Sequence, residues 1–428
     1  MAITQLKVER LGSKGDGIHF GAKGPVFIDR ALPGDLVAAR VYKEASGLSR
    51  GEIVAILDAS PYRKSSECPH YSQCGNCTLQ HLEPFYYQRW KCEVVREAFV
   101  NQNLRPRIWK VPVFLGQQNR RRATFTAIKK RSKTAVGYYR RRSNQVTDIE
   151  TCPIAEPKIM EIQRKVKPYL AGLLIEGKPV DIFFQLVGSS VDMLMTGPVG
   201  RSGKPDFSVK KILTEILNET GISRISWRAS GQEKMAILLN RKPILAKFAN
   251  LNVELPPGAF LQPTLEGEKV LVGAVVSSLS GTGKFADLFS GCGTFSGPLL
   301  SHGSVDAYEN DPLSVKALLK AKGNLPLEVS RRNLYQRPLR RDELSRYSGV
   351  IFDPPRGGCP EQAREMALAK TPVLVGVSCN PATFARDARM ICDGGYHLES
   401  LQVIDQFQWS HHVEVVGVFR KKVQRFHF

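Results

Sequence analysis

The C-terminal part of the chain, from about residue 256, alternates short apolar runs with helical stretches. The apolar runs cover residues 285–289, 305–308, 349–352 and 373–377. Helical stretches between them include 312–322 and 361–369. This alternation is typical of a parallel α/β sheet, and the runs at 401–407 and 412–419 predict an antiparallel edge. Because parallel strands end at the same edge of a sheet, we expect the residues after each run to meet there.

The first apolar run leads into a glycine loop, "KFADLFSGCGTFSGPLL" (284–300), which contains Asp287, Gly291 and Gly293. Glu309 ends the next run, at the place where nucleotide-binding folds put an acid that binds ribose hydroxyls. The full three-glycine fingerprint of dinucleotide sites is missing. A shorter loop with a downstream acid fits S-adenosylmethionine better, because that ligand has no pyrophosphate. Bare scaffold is the alternative.

Two later runs also end in residues that suit chemistry. "GVIFDPPRGG" (349–358) places Asp353 before two prolines that stiffen the loop. A rigid turn would explain this motif too, and similar motifs occur in methyltransferases that act on the amino groups of bases. "GVSCNP" (376–381) delivers Cys379 to the end of a buried strand. That thiol is either a small buried side chain or a nucleophile at a pocket mouth.

A thiol and a carboxylate together fit one reaction on a pyrimidine base. Uracil C5 is a poor nucleophile, but thiolate addition at C6 makes C5 reactive towards a methyl sulfonium. A base then removes the C5 proton so that the thiol can leave. "SHHVEVVGVF" (410–419) offers His411, His412 and Glu414. Glu414 is the predicted base, although its alternation with apolar residues also fits a solvent-facing strand position.

The N-terminal half indicates a nucleic-acid partner. Residues 1–58 alternate β-branched runs with glycine turns, which predicts a small OB-like antiparallel barrel. The formal net charge is +21, and residues 119–142 hold ten Lys and Arg without an acid. The basic side chains would hold phosphates, and the interleaved Phe125, Tyr138 and Tyr139 could stack on bases. Residues 84–103 have helical periodicity, and 110–250 alternate in a β manner around a helical stretch at 154–174.

Three cysteines lie close together in "SSECPHYSQCGNCTLQH" (65–81), and a distant fourth is in "IETCPI". Four thiolates could hold zinc or an iron–sulfur cluster. Zinc sites usually use two close pairs, so the solitary fourth cysteine favours a 4Fe-4S cluster. The spacing is not that of radical enzymes, which indicates a structural or RNA-orienting role.

Together these motifs resemble the bacterial RNA uracil-5-methyltransferases, in particular the 23S rRNA enzymes with an iron–sulfur cluster. The resemblance rests on "CPHYSQCGNC", "FLQPT", "DLFSGCGTF", "DPPRGG", "SCNPATFARD" and "HHVEVV", in the family's order. It implies that Cys379 is the nucleophile and Glu414 the base. It also implies an S-adenosylmethionine and uracil pocket lined by Gln262, Phe289, Thr294, Glu309 and Asp353. The implied ligands of the 4Fe-4S cluster are Cys68, Cys74, Cys77 and Cys152. The chain departs from the family at Phe289 and Thr294, where Tyr and Asn are common.

The resemblance implies a multidomain chain. We expect a TRAM-like β-barrel over 1–58 and a central α+β iron–sulfur and RNA-binding domain over 59–255. A Rossmann-like class I S-adenosylmethionine-dependent methyltransferase domain would cover 256–428, with the helix at 84–103 packed on it. The expected substrate is RNA, most simply 23S rRNA, with the target uridine flipped out. The alternatives are a tRNA uracil methyltransferase, a non-catalytic RNA-binding assembly factor and an amino-group methyltransferase.

Nothing in the sequence predicts a membrane or an obligate protein partner. No apolar run reaches the length needed to cross a bilayer, and the start, "MAITQLKVERLG", does not read as a signal peptide. We therefore expect a cytoplasmic protein whose nine cysteines do not form a disulfide framework.

Overall fold

The computed structural model describes residues 3–131, 133–279 and 281–421, so the outermost residues of the first and last predicted domains lie outside it. The first strands are β1 (Ile3–Lys7), β2 (Arg10–Leu11), β3 (Gly17–Gly21), β4 (Gly24–Ile28), β5 (Leu36–Lys43) and β6 (Ser49–Asp58). They form one sheet in the order β1-β5-β6-β4-β3-β2. The amides of Val8 and Glu9 bond to the carbonyls of Asp35 and Ile18. The sheet therefore curls until two strands that are consecutive in the chain occupy its two ends.

A cysteine-rich loop leads to helix α1 (Pro84–Val100) and to the short strands β7 (Ile108–Trp109) and β8 (Val113–Phe114). Pro84 stands at the start of α1, where its missing N–H costs no hydrogen bond. The helix buries Tyr87, Lys91, Val95 and Phe99. These residues recur every four positions and so share one face. This face carries both polar and apolar groups, and the apolar ones join the core of the C-terminal sheet.

The central region consists of a second sheet with two helices packed on it. Its elements are β9 (Arg122–Lys130), β10 (Lys133–Tyr139), β11 (Val146–Asp148), α2 (Pro157–Leu173), β12 (Val180–Val187), β13 (Ser190–Thr196), α3 (Phe207–Thr220), β14 (Arg224–Arg228) and β15 (Ala236–Asn240). The sheet order is β11-β10-β9-β12-β13-β14-β15. Phe125 of β9, Ile159 of α2 and Leu213 of α3 belong to one core. A hairpin of β16 (Leu245–Phe248) and β17 (Leu251–Glu254) follows.

The C-terminal region is a doubly wound sheet. Its elements are α4 (Leu265–Val276), β18 (Gly283–Leu288), α5 (Ser296–Leu299), β19 (Gly303–Glu309), α6 (Pro312–Ala321), β20 (Leu327–Arg331), α7 (Arg341–Leu344), β21 (Gly349–Phe352), α8 (Pro360–Leu368), β22 (Val373–Ser378), α9 (Pro381–Asp393), β23 (Tyr396–Asp405) and β24 (Glu414–Lys421). The sheet order is β20-β19-β18-β21-β22-β24-β23-β7. Strands β18 to β22 are mutually parallel, and β24 runs antiparallel to both β22 and β23. The strand order reverses between β18 and β21, and ligands of such sheets bind at this crevice.

Helix α1 packs on this C-terminal unit although a whole sheet separates the two in sequence. The rings of Phe99 and Phe384 meet edge to face with centroids 5.8 Å apart. Val95 and Phe99 are fully buried in the same core as Leu374 and Phe419. The α/β unit is therefore completed by residues that come long before it in the chain.

Two expectations about secondary structure are wrong. The antiparallel pair is not the edge of the sheet, because β7 and β8 add parallel to β23 beyond it. Two-residue strands are too short to leave a periodic signal. The region 110–250 also contains helix α3, which Asp206 caps through the Val209 amide and Gly221 ends with a positive φ of 76°.

None of the helices in the described part of the chain combines the length and hydrophobicity that crossing a membrane requires.

Candidate active site

Three side chains that the sequence singled out meet at one edge of the C-terminal sheet. Asp353 directly follows β21 and Cys379 directly follows β22, whereas Glu414 opens the antiparallel β24. Ser378 pairs with Val415 in the register of β22 and β24. One further step along each strand sets Cys379 against Glu414, so the antiparallel pairing brings a thiol and a carboxyl group together.

Glu414 is a buried carboxyl group with a perturbed pKa. Its side chain is not solvent-facing, since only 5% of the residue is exposed, and that alternative is therefore wrong. Burial raises the pKa of Glu414 to about 7, against the lowering effect of the Gln406 hydrogen bond and the charges of Arg356 and Lys91. A carboxyl group with this pKa can take up and release a proton near neutral pH.

Gln406 connects Glu414 to Gln262. Its Nε2 donates to Glu414 Oε1 over 3.3 Å and to Gln262 Oε1 over 2.7 Å. Gln262 is itself buried, and its carbonyl accepts a hydrogen bond from Arg121 Nε over 2.9 Å. The predicted cofactor contact and the predicted base thus belong to one hydrogen-bonded chain.

The Cys379 thiol is partly buried, and its charged form is disfavoured in the free protein. Burial raises its pKa to about 11, and the charges of Glu414 and Asp353 act in the same direction. Arg356 opposes them through a hydrogen bond and its positive charge. The Arg356 guanidinium also contacts the His412 ring. Thiolate formation here therefore depends on nearby positive charge.

Two more acids lie at the crevice, and burial disfavours the ionised form of each. Burial raises the pKa of Asp353 well above its ordinary value, and the charges of Glu414 and Asp287 raise it further. Asp287, which is fully buried, has its pKa raised to about 7 by burial. Ser296 donates to its Oδ2 over 2.5 Å, while Oδ1 is buried without a hydrogen-bond partner in the described structure. That oxygen near the end of β18 is a buried polar atom that the protein leaves unpaired, which is uncommon.

The glycine loop after β18 is fixed by the acid at the end of β19. Glu309 Oε2 accepts the Gly291 amide over 2.9 Å, and its Oε1 accepts the amides of Asn310 and Asp311 over 2.6 and 2.8 Å. A contact between Glu309 and ribose stays a prediction, and the structure adds that this carboxylate orders the loop. Phe289 enters the loop with a positive φ of 62°, a strained backbone that often marks functional sites.

Phe289 and Thr294 both follow β18, and they differ in their surroundings. The Phe289 ring is 5.7 Å from that of Tyr335, centroid to centroid. Thr294 is partly exposed in the turn that precedes α5. Roles for both towards S-adenosylmethionine remain predictions.

Sequence reasoning missed two residues of this site. Arg356 was within the quoted "DPPRGG", and its place after two stiff prolines was a usable signal. Gln406 carries no local signal, because its role depends on how β23 and β24 pair.

The four predicted cluster ligands, Cys68, Cys74, Cys77 and Cys152, line one compact cavity together with Tyr138. They are free thiols, and burial raises the pKa of Cys74 to about 11 and of Cys77 to about 12. In the described part of the chain no three Cys, His, Asp or Glu side chains stand close enough to hold a single metal ion. The donor set is nevertheless an all-thiol one with an apolar wall, which is the chemistry that an iron–sulfur cluster needs.

The basic segment is only partly a binding surface. Phe125 is fully buried in the central core and Tyr138 packs against it, so stacking of these two rings on bases is wrong. Tyr139 is 40% exposed and stays a candidate. The strands alternate between a basic outer face and an apolar inner face.

A basic cavity of about 280 Å³ lies next to the connection between β23 and β24. Its charged and titratable lining residues are Lys14, Arg50, Arg120, Arg141, Arg142, His411, His412 and one acid, Asp16, which forms ion pairs with Arg50, Arg141 and Arg142. These residues come from the N-terminal barrel, the central region and the C-terminal unit. Burial and the surrounding cations lower the pKa of His411 to about 4 and of His412 to about 3. The cavity is therefore an environment that favours anions.

Comparison with known proteins finds relatives along the whole chain. Residues 330–423 match the family model described as tRNA (Uracil-5-)-methyltransferase. An uncharacterized RNA methyltransferase from Brucella suis is 34% identical over 421 residues, which are 97% of this chain and 98% of that protein. The 23S rRNA (uracil(1939)-C(5))-methyltransferase RlmD of Vibrio cholerae is 27% identical, covering 97% of this chain and 95% of its own.

A solved structure has the same fold. The crystal structure of Pyrococcus abyssi tRNA (uracil-54, C5)-methyltransferase in complex with S-adenosyl-L-homocysteine superposes with a TM-score of 0.76. The match covers 97% of this chain and 99% of that one, at 20% sequence identity. It supports the multidomain architecture and the methyltransferase fold of the C-terminal unit.

Proposed function

Since this chain belongs to the RNA uracil-5-methyltransferase family, we propose that it methylates C5 of one uridine in 23S rRNA through a covalent intermediate on Cys379. The observation that carries this proposal is the β22–β24 register, which sets the thiol against a buried carboxyl group with a pKa of about 7. A scaffold would gain nothing from a pair that is costly to bury.

The proposed reaction uses the two groups in sequence. The Cys379 thiolate adds to C6 of uracil, and the electron pair of the C5–C6 double bond moves to C5. C5 takes up the methyl group of S-adenosylmethionine, and the electron pair of the broken S–CH3 bond stays on sulfur, which leaves as S-adenosylhomocysteine. Glu414 then removes the C5 proton, the double bond reforms and the thiolate leaves C6. The C5–H electron pair reforms the double bond, the C6–S pair returns to the thiolate, and the proton taken up by Glu414 passes to solvent, so that the methyl group replaces the C5 hydrogen.

The crevice between β18 and β21 is the proposed site for S-adenosylmethionine. Its residues would be Gln262, Phe289, Thr294, Glu309 and Asp353, with Asp287 beside them. The unpaired Asp287 Oδ1 supports this assignment, as does the loop that Glu309 orders. A sulfonium cation near Cys379 would also lower the pKa of the thiol, which burial holds high.

We further propose that Cys68, Cys74, Cys77 and Cys152 bind a 4Fe-4S cluster. Their shared cavity and free thiols support this. A 4Fe-4S cluster holds its four thiolates further apart than a single metal ion does. This fits four cysteines that line one cavity but do not lie close enough together to bind a single ion. The cluster would cross-link residues 68–77 to residue 152 and require the thiols to be deprotonated.

RNA would lie across the basic surfaces. The N-terminal barrel, which we propose to be a TRAM-like module, and the basic cavity beside His411 and His412 support this. The relative that acts on 23S rRNA favours ribosomal RNA, and the tRNA enzyme of the same fold keeps tRNA as the second candidate. Either substrate would place the activity in the cytoplasm.

A covalent trap tests the proposal. Anaerobically purified protein is mixed with S-adenosylmethionine and with rRNA or tRNA that contains 5-fluorouridine. Fluorine cannot leave as a cation, so elimination stalls after methyl transfer and the adduct survives a denaturing gel. We expect an adduct with rRNA that Cys379→Ala abolishes and Glu414→Gln retains.

Each other result changes the proposal in a defined way. An adduct with tRNA alone keeps the chemistry and changes the substrate. No adduct with either RNA, despite bound S-adenosylmethionine, contradicts the proposal and favours an RNA-binding or amino-methylating protein. Iron and acid-labile sulfide in the wild type but not in Cys152→Ser would support the cluster, and their absence from anaerobic wild-type protein would refute it.

A further inference from the structure

Helix α1 carries a lysine, Lys91, whose charged group lies in the protein interior. Lys91 is fully buried. Its Nζ donates to Asp405 Oδ1 over 2.9 Å and to the carbonyl of His412. A buried ammonium group without a partner would strongly destabilise the folded protein. Both hydrogen bonds reach the stretch that runs from Asp405, the last residue of β23, to His412, which precedes β24.

A second side chain of α1 acts on the same segment. Tyr87, one turn before Lys91, donates its hydroxyl to Asp405 Oδ2 over 2.5 Å. The same hydroxyl accepts the Trp409 amide over 2.9 Å. Phe407 completes the arrangement by donating its amide to Asp405 Oδ1 over 3.0 Å.

These contacts hold the connection 406–413 at both ends and in the middle. Asp405 ends β23, and His412 lies two residues before Glu414, which begins β24. The connection also carries Gln406, the partner of Glu414. Buried ion pairs contribute little net stability, and their best-supported role is to specify one arrangement. Here the specified arrangement is the one that directs the base.

We propose that Lys91 is a positioning residue, which fixes the connection 406–413 through Asp405 and the His412 carbonyl so that Glu414 reaches the C5 proton. The proposal rests on the uracil C5 chemistry proposed above. Lys91 also lies among the charges that lower the pKa of Glu414 against the effect of burial, which favours its ionised, basic form.

The test uses the fact that only the last step needs the base. Replacing one partner alone would leave a buried charge unpaired, so the variant is the double exchange Lys91→Met with Asp405→Asn. We expect turnover on ordinary RNA to fall at least tenfold with little change in KM. The adduct with 5-fluorouridine RNA should form at the wild-type rate, and an adduct with ordinary RNA should accumulate.

The matched control is Lys421→Met. Lys421 is a partly buried lysine of the same sheet, and its Nζ donates to the carbonyls of Ala367 and Gly394 over 3.1 and 2.9 Å. The Lys421→Met variant should keep wild-type turnover. Tyr87→Phe retains the ion pair but loses two contacts, and should slow release of the adduct by a smaller factor.

The outcomes separate the two proposals. Wild-type protein without any adduct refutes the proposed function. A wild-type adduct with unchanged turnover in the double variant refutes the role of Lys91 alone. Equal losses of turnover and of 5-fluorouridine adduct refute it too, because they indicate a general structural defect. If the double variant does not bind S-adenosylmethionine, Tyr87→Phe decides, and unchanged adduct release in it overturns the proposal.

Discussion

Glu414 is a carboxyl group at a position where its ionised form is disfavoured, and this has a cost for stability. Its pKa is raised from 4.5 to about 7. Between these values the unfolded chain loses a proton that the folded chain keeps, so the free energy of unfolding falls as pH rises. A residue kept for stability would not impose that penalty, whereas a base that works near neutral pH does.

We therefore predict that Glu414→Gln stabilises the protein, and more so at higher pH. The free energy of unfolding should exceed that of the wild type by an amount that grows from about pH 5 to about pH 7 and then levels off, at no more than about 1.4 kcal/mol per pH unit. Urea unfolding at several pH values measures it. A difference that is constant with pH would contradict the raised pKa.

Arg356 is predicted to tune the thiol. Because its hydrogen bond and charge lower the pKa of Cys379, Arg356→Gln should reduce the thiolate fraction. Alkylation of Cys379 at pH 8, followed by mass spectrometry of its peptide, should slow severalfold, because a higher pKa leaves less thiolate at this pH. Arg364→Gln, an exposed exchange on α8, should not change the rate. An unchanged alkylation rate in Arg356→Gln would contradict the predicted effect of Arg356 on the pKa of Cys379.

At the scale of the element, β22 shows how a strand is shaped to deliver one residue. Gly376 lies in its middle, and a Cβ there would come within 2.5 Å of the rings of Phe352 and Phe384. These rings belong to the core beneath the strand. The glycine allows β22 to lie close to the aromatic layer, and Cys379 extends from its end.

We predict that Gly376→Ala lowers the free energy of unfolding by about 1–3 kcal/mol through overpacking. Urea denaturation measures this. Gly357→Ala is the matched control, since nothing lies within 4 Å of its Cβ position and its φ is not positive. Equal midpoints for the two variants would show that the rings move aside without cost.

The elements show what local sequence can and cannot predict. The strands β21 and β22 were predictable because a parallel strand buried on both faces is a continuous apolar run. The basic segment gave a wrong prediction for Phe125. Along β9 the residues of the buried face alternate with polar and charged residues of the outer face, so the sequence did not distinguish the two. Helix α9 begins with Asn380 and Pro381, a cap and first-turn pair that a closer reading of "SCNP" would have detected.

At the scale of the whole molecule, the excess of positive charge indicates a polyanionic partner such as RNA. The formal net charge is +21, and basic side chains from three regions share one cavity. Binding to RNA by release of counterions weakens as salt rises. We predict that the Kd for target RNA increases at least tenfold between about 50 and 200 mM salt.

Filter binding measures the RNA affinity, and S-adenosylmethionine binding measured at the same salt concentrations is the control. The cofactor should bind almost equally at both salt concentrations, because the site proposed for it is a buried crevice. An RNA Kd that does not depend on salt would argue against phosphate contacts by the basic cavity.

The whole molecule also explains why part of the site was not predictable. The glycine loop, Asp353 and Cys379 follow strands of one sheet, so their meeting could be inferred from the strand pattern. Lys91 and Asp405 are 314 positions apart, and neither stands in a motif. Contacts of such range arise from packing that no window of sequence contains.

The amides of Thr78 and Leu79 donate to the carbonyl of Trp409 over 2.7 and 3.0 Å. The residues beside Cys77 and the face of α1 thus form the outer wall of the segment that leads to Glu414. The chain is consequently not modular at the border where its α/β pattern begins. A fragment cut at residue 256 would keep the crevice proposed for the methyl donor, but the Asp405 carboxylate and the Trp409 carbonyl would lose the partners that the N-terminal half supplies. A different N-terminal half joined to the same C-terminal half would therefore have to reproduce this wall to keep the segment before Glu414 in place.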